Sequence, residues 1–233
     1  MKKENDSLKD ILEKLEALSN PENVAGMTKF GIKSVKTYGV HIPDLRKIAK
    51  TIGKNHRLAL QLWNVKTRET RILASMIDSP EGVPEDQMES WVKEFDNWET
   101  CDQVCQNLFT HTSLAYQKAV EWSQRKEEFI KRAGFVIMAR LAVKDKKAED
   151  KEFEKFLPII KREAADDRNY VKKAVSWALR QIGKRNLYLN KKAIETAREI
   201  EQTNAKSAKW IARDALKELT NYKIQQRLQR KTK

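Results

Sequence analysis

Apolar residues recur at three- and four-residue spacing along almost the whole chain, the pattern of helices that bury one face. Between 168 and 184, Val171, Ala174, Val175, Ala178, Leu179 and Ile182 gather on one side of a helical wheel. From 98 onward, Cys101, Val104, Cys105, Leu108 and Phe109 form a second apolar arc. The stretch 127–143 is apolar almost all round, which predicts a central helix. No alternating strand pattern interrupts this. The pattern predicts helices near 7–19, 22–29, 43–53, 55–63, 67–78, 84–95, 98–109, 113–124, 127–143, 149–165, 168–184, 190–201, 205–219 and 221–230. Helix N-caps are expected at Asp6-Ser7, at Thr67 ahead of Glu69, and at Asn204. Pro43 and Pro84 fall where a first helical turn tolerates proline.

A weak repeat runs through the middle and end of the chain. Ile130-Lys131-Arg132-Ala133 compares with Val171-Lys172-Lys173-Ala174 and with Ile211-Ala212-Arg213-Asp214, so the basic positions 132, 173 and 213 are spaced by 41 and 40. Each is expected to open an Ala-rich helix, and Glu69-Thr70-Arg71 begins a similar one earlier. A period of about 40 residues is that of HEAT-type helical pairs, which stack into an extended array. The expected fold is therefore all-α, a HEAT-like helical-repeat array (an α-α superhelix) with a basic concave face, forming a single domain over 1–233, with an irregular helical bundle as the alternative.

Composition narrows the partners. The chain has 233 residues, 40% hydrophobic and 34% charged, enough for a folded core and too apolar for disorder. Against 33 acidic residues stand 47 basic ones, a net charge of +14, the electrostatic footprint of a nucleic-acid binder. No apolar run is long enough to span a bilayer, and no signal peptide is read, so no membrane association is expected. Two cysteines make no disulfide framework, which points to a reducing, cytoplasmic (nucleoid-associated) location. A monomer is expected.

Candidate chemistry lies on three helices. Opposite the core face of 168–184, Lys173, Trp177, Arg180 and Lys184 cluster, placing an indole inside a basic stripe. Either another helix covers that indole or a ligand does. Trp98 and Asp102 are four residues apart, on one face at the edge of the apolar arc. A carboxylate there is partly desolvated and responsive to a nearby positive charge, unless it is one of the helix-start acids, with Asp96 and Glu99, that favour the macrodipole. Arg132 shares a row with Val136, Ala139 and Val143 and needs a partner, for which Asp102 or a DNA phosphate would serve. Cys101, Cys105 and His111 lack metal-site spacing, and neither a metal nor another cofactor is expected. His41 and His56 have no evident acid or nucleophile beside them, and no phosphate-binding Gly-rich loop is present. The basic end, 227–233, reads as a solvated face or a non-specific DNA contact.

Taken together, Tyr38-Gly-Val-His-Ile-Pro43-Asp-Leu-Arg46, Trp98-Glu-Thr-Cys-Asp102, Arg132-Ala133 and Trp177-Ala-Leu-Arg180 resemble the AlkD-type DNA alkylation-repair glycosylases over about residues 8–220. The stretch between Asp102 and Arg132 is compact beside that pattern. The resemblance implies that Asp102, Trp98 and Trp177 form a catalytic trio, and that Arg132 and Arg180 line a DNA cleft; Lys173, Lys184 and Arg46 are assigned with them to DNA binding. It also implies excision of positively charged N3- or N7-alkylated purines from duplex DNA, without base flipping. Two alternatives need no catalysis: a helical-repeat scaffold binding DNA or RNA on the same basic face, and a protein-interaction module using the aromatics as hot spots.

Overall fold

A computed structural model describes residues 7–29, 31–32 and 36–232. Among these residues the structure is helical and contains no strand, and no helix is long and apolar enough to cross a membrane. The predicted basic end runs on to Lys233, which lies outside the described residues. Two compact units divide the chain, Met1–Ser113 and Leu114–Lys233.

The first unit holds α1 (Leu8–Ala17), α2 (Pro21–Lys29), α3 (Ile42–Ile52), α4 (His56–Asn64), α5 (Arg68–Ile77), α6 (Glu85–Lys93) and α7 (Trp98–Asn107). Its centre is α5, which packs on α3, α4 and α7 and buries nine of its ten residues. Ser7 and Thr67 cap α1 and α5 through reciprocal hydrogen bonds with Asp10 and Thr70, so both expected caps form. Trp63 and Trp91 stack with centroids 3.9 Å apart, and Phe95 and Phe109 tilt against them to fill the core.

The segment before α3 is clasped by one buried carboxylate. Glu69, fully buried, accepts the Thr37 hydroxyl at 2.8 Å and the amides of Tyr38 and Gly39 at 3.0 and 3.1 Å. Gly39 has φ 74°, and a Cβ there would collide with the Asn20 carbonyl. Only glycine fits this turn without strain. The Tyr38-Gly-Val run is thus a structural clasp.

The second unit holds α8 (Ala115–Ser123), α9 (Glu128–Lys144), α10 (Asp150–Glu154), α11 (Phe156–Glu163), α12 (Asn169–Gly183), α13 (Leu187–Glu201), α14 (Lys206–Leu219) and α15 (Tyr222–Thr232). Helices α9, α12 and α14 form one row, each packed on the next, with α8, α11 and α13 backing them. As its apolar pattern predicts, α9 is central, with twelve of seventeen residues buried. Gly134 lets α8 approach closely, because a Cβ there would collide with the Ser123 amide.

Three expectations shift. The helix expected over 149–165 breaks at Lys155 into α10 and α11. Pro158 is the cause: it has no N–H to donate to the Glu154 carbonyl, and its ring clashes there. The helix expected from 190 starts at Leu187, because the Asn186 side chain caps it by accepting from the Leu189 amide at 2.8 Å. Asn204 does not cap α14; that position is Ala205, with no side-chain cap.

Candidate nucleic-acid interface and catalytic carboxylate

In the first unit, α7 begins where buried Asn97 accepts from the Thr100 amide at 2.9 Å. Cys101, Val104, Cys105 and Leu108 turn inward, each fully buried, and the cysteines pack as small core residues. Trp98 and Asp102 stay half-buried, one turn apart. Next to them, Glu99 is gripped by Arg68 of α5 in a two-pronged contact, Nε to Oε2 at 2.6 Å and Nη2 to Oε1 at 2.9 Å. The third nitrogen of Arg68, Nη1, donates to Glu69 at 2.8 Å and to the Val40 carbonyl at 3.0 Å. Burial works against the Arg68 charge, but the hydrogen bonds and charges of Glu99 and Glu69 outweigh it and hold its pKa above the ordinary value. One row down α5, Arg71 binds Glu94 at 2.7 Å and lies 5.3 Å from the Trp63 ring. The start of α7 is therefore fixed by buried Arg68 of α5, while Arg71 holds the end of α6.

Arg46 sits exposed on α3. His56 has a partner that the sequence did not reveal: its Nδ1 lies 2.7 Å from buried Asp78. That pairing joins residues 22 positions apart, beyond the reach of local spacing.

In the second unit, the predicted core face of α12 is fully buried from Val171 to Ile182. On the other side, Lys173 is exposed and Trp177 half-buried. The Gln181 amide, in the orientation that satisfies its neighbours, accepts from the Trp177 indole at 3.0 Å and from Lys184 at 3.2 Å. Arg180 and Lys184 both reach Glu218 of α14, at 2.6 and 2.5 Å, and Arg180 also approaches Asp214 at 3.2 Å. Burial raises the Glu218 carboxyl, but Lys184 and Arg180 more than offset this and hold it below the usual glutamate range. Arg132 is 6% exposed and donates to the Tyr170 carbonyl at 2.6 Å.

A second stripe escaped the sequence reading. On α14, Lys206, Lys209, Trp210, Arg213 and Lys217 are all exposed, and among the described residues no ion pair engages these four cations. The signal was present: Lys-x3-Trp-x2-Arg-x3-Lys occurs at 173–184 and again, 33 residues on, at 206–217. The repeat built on Arg213 concealed it, because Arg213 lies mid-helix and does not open α14.

The sequence pattern described as "DNA alkylation repair enzyme" matches residues 11–219. The chain belongs to the DNA alkylation repair enzyme family. Membership carries the coarse assignment, DNA repair and DNA binding, and agrees with the AlkD-type resemblance. A solved structure is similar to this family member with a TM-score of 0.75 and 20% identity, over 89% of this chain and 93% of that one. It is described as belonging to "a new family of proteins related to the HEAT-like repeat DNA glycosylases with affinity for branched DNA structures". At that identity the likeness shows the fold, a HEAT-like helical repeat. An uncharacterised protein of Listeria innocua is 27% identical over 127 residues, 53% of this chain. The match spans 57% of that relative's length.

Proposed function

We propose that this family member is a DNA glycosylase, hydrolysing the N-glycosidic bond of N3- and N7-alkylated purines in duplex DNA without flipping the base. Such a purine carries a positive charge. When the C1′–N9 bond breaks, its electron pair moves to the base, which leaves neutral without a general acid. Positive charge develops on the deoxyribose, and water attacks C1′ and gives up a proton. Asp102 would stabilise the sugar cation and orient the water, as carboxylates do in glycoside hydrolysis.

Trp98 and Trp177 would present indole faces to the cationic nucleotide, each contributing about 0.5–2 kcal/mol. That is too little to carry the reaction, so Asp102 dominates. Lys173, Arg180, Lys184, Arg132 and Arg46 would contact the DNA backbone. Among these, exposed Lys173 and Arg46 reach a phosphate without rearrangement, whereas Arg180 and Lys184 must exchange Glu218 for it and buried Arg132 must give up the Tyr170 carbonyl.

The observation that carries the reading is the placement of Trp98 and Asp102. Both are half-buried on one helix whose start is fixed by the Arg68–Glu99 contact. Preorganisation of this kind makes a carboxylate effective. The test is release of 7-methylguanine from methylated duplex DNA. Wild type should release it, and Asp102→Asn should bind the same DNA while releasing base about a hundredfold more slowly or worse. Equal rates for the two proteins would overturn the mechanism.

The fold likeness to a protein described by its affinity for branched DNA favours a second reading, a non-enzymatic DNA-binding repeat. Tight binding of branched DNA, with no base released by wild type, would select it.

A further inference from the structure

We propose that the exposed face of α14 is a second DNA contact, in which Trp210 stacks on a base of a single-stranded DNA segment while the surrounding cations hold its backbone. This goes beyond the glycosylase reading and uses neither Asp102 nor Trp177.

Four observations carry it. First, Trp210 is 40% exposed, an unusual position for the largest apolar side chain. Second, three cations share its face, Lys206 one turn before and Arg213 and Lys217 after it, while the one carboxylate there, Asp214, is engaged by Arg180 and Ser176 of α12. Among the described residues these cations have no carboxylate partner, whereas the matching pair on α12, Arg180 and Lys184, is held by Glu218. Third, the Lys172 ammonium of α12 lies 5.1 Å from the Trp210 ring centroid. The cation covers one part of the indole and stands where the phosphate of a stacked nucleotide would need neutralising. Fourth, Lys206 and Lys209 occupy the first turns of α14, which carries no acidic residue there. Cations at a helix N-terminus oppose the macrodipole, and a bound anion relieves that opposition.

The chemistry selects the occupant. A basic stripe alone suits any phosphate backbone. An exposed indole in its middle adds a π-face that a base inside a duplex cannot use, since both faces of that base are already stacked. Unpaired bases can use it, and base–aromatic stacking on a cationic track is how single strands are held without sequence preference. Duplex backbone binding and no binding at all are the competing outcomes.

The experiment measures affinity by fluorescence anisotropy for two undamaged labelled DNAs, a blunt duplex and the same duplex with a single-stranded tail. Wild type should prefer the tailed DNA. Trp210→Ala should remove about tenfold of affinity for the tailed DNA, leave the blunt duplex unchanged, and leave the salt dependence unchanged. Trp210→Phe should restore most of the preference, which a purely structural role of the indole would not produce. The paired change Lys206→Ala with Arg213→Ala should weaken tailed-DNA binding and flatten its salt dependence. Thermal melting confirms that each variant is folded. Equal loss on both DNAs, or no loss with Trp210→Ala, overturns the proposal. Because no lesion and no base release are involved, the result is independent of the glycosylase reading.

Discussion

At the scale of single residues, side chains read from the sequence as one kind divide by what they touch. Lys173, Arg180 and Lys184 share a face of α12, yet Lys173 faces solvent while the other two are held by Glu218. Helical spacing placed all three correctly on that face. It could not show the pairing, because Glu218 comes from another helix, 38 positions from Arg180. If Arg180 and Lys184 serve phosphates, Glu218 competes with the DNA. Glu218→Gln should then strengthen duplex binding several-fold at moderate salt and steepen the salt slope by about 0.9 for each cation released to a phosphate. Unchanged or weaker binding would mean that the two cations serve to join α12 to α14. The same variant has a stability signature. Lys184 and Arg180 hold the folded Glu218 carboxyl below the usual glutamate range, so the pair contributes stability above that range and loses it as pH falls through the folded value. In Glu218→Gln this part of the acid limb should be missing from melts recorded across the acidic range.

At the scale of elements, helix positions were largely legible because the apolar spacing is regular and the turns are marked by Pro, Gly and capping side chains. The exceptions have local causes: Pro158 divides α10 from α11, and Asn186 starts α13 early. What spacing could not show is how α7 is held. Arg68 is buried within α5 and was not assigned any role from the sequence, yet it joins the Glu69 clasp to Glu99 beside Trp98. Breaking one side of a buried ion pair leaves an uncompensated charge, at a cost of about 3–5 kcal/mol when no second partner remains. Here Glu69 remains, so Glu99→Gln should cost less, about 1–3 kcal/mol. Urea unfolding with an unchanged m-value would measure it. A loss below about 0.5 kcal/mol would show that Glu69 alone satisfies Arg68, and that the α5–α7 contact does not depend on the fork.

At the scale of the whole molecule, a net charge of +14 was visible from composition and predicted a polyanion partner, but charge alone does not say how many cations meet phosphate. The structure limits the count. Arg68, Arg71, Lys131, Arg132, Arg180 and Lys184 are committed to carboxylates or carbonyls. Lys172, Lys173, Lys206, Lys209, Arg213 and Lys217 form the available set on α12 and α14. Each phosphate contact on duplex DNA contributes about 0.9 to the slope of log affinity against log salt, so six contacts give a slope of about −5.4. A diffuse field of all fourteen excess charges would give about −13. Titrating a labelled duplex across a salt series separates these. A slope steeper than about −8 would mean that binding follows overall charge, and one shallower than about −2 would remove the α12 and α14 stripes from the duplex interface. A slope between them, falling by about 0.9 with Lys173→Ala, would assign that phosphate contact to a residue whose position on the helix face the sequence already predicted.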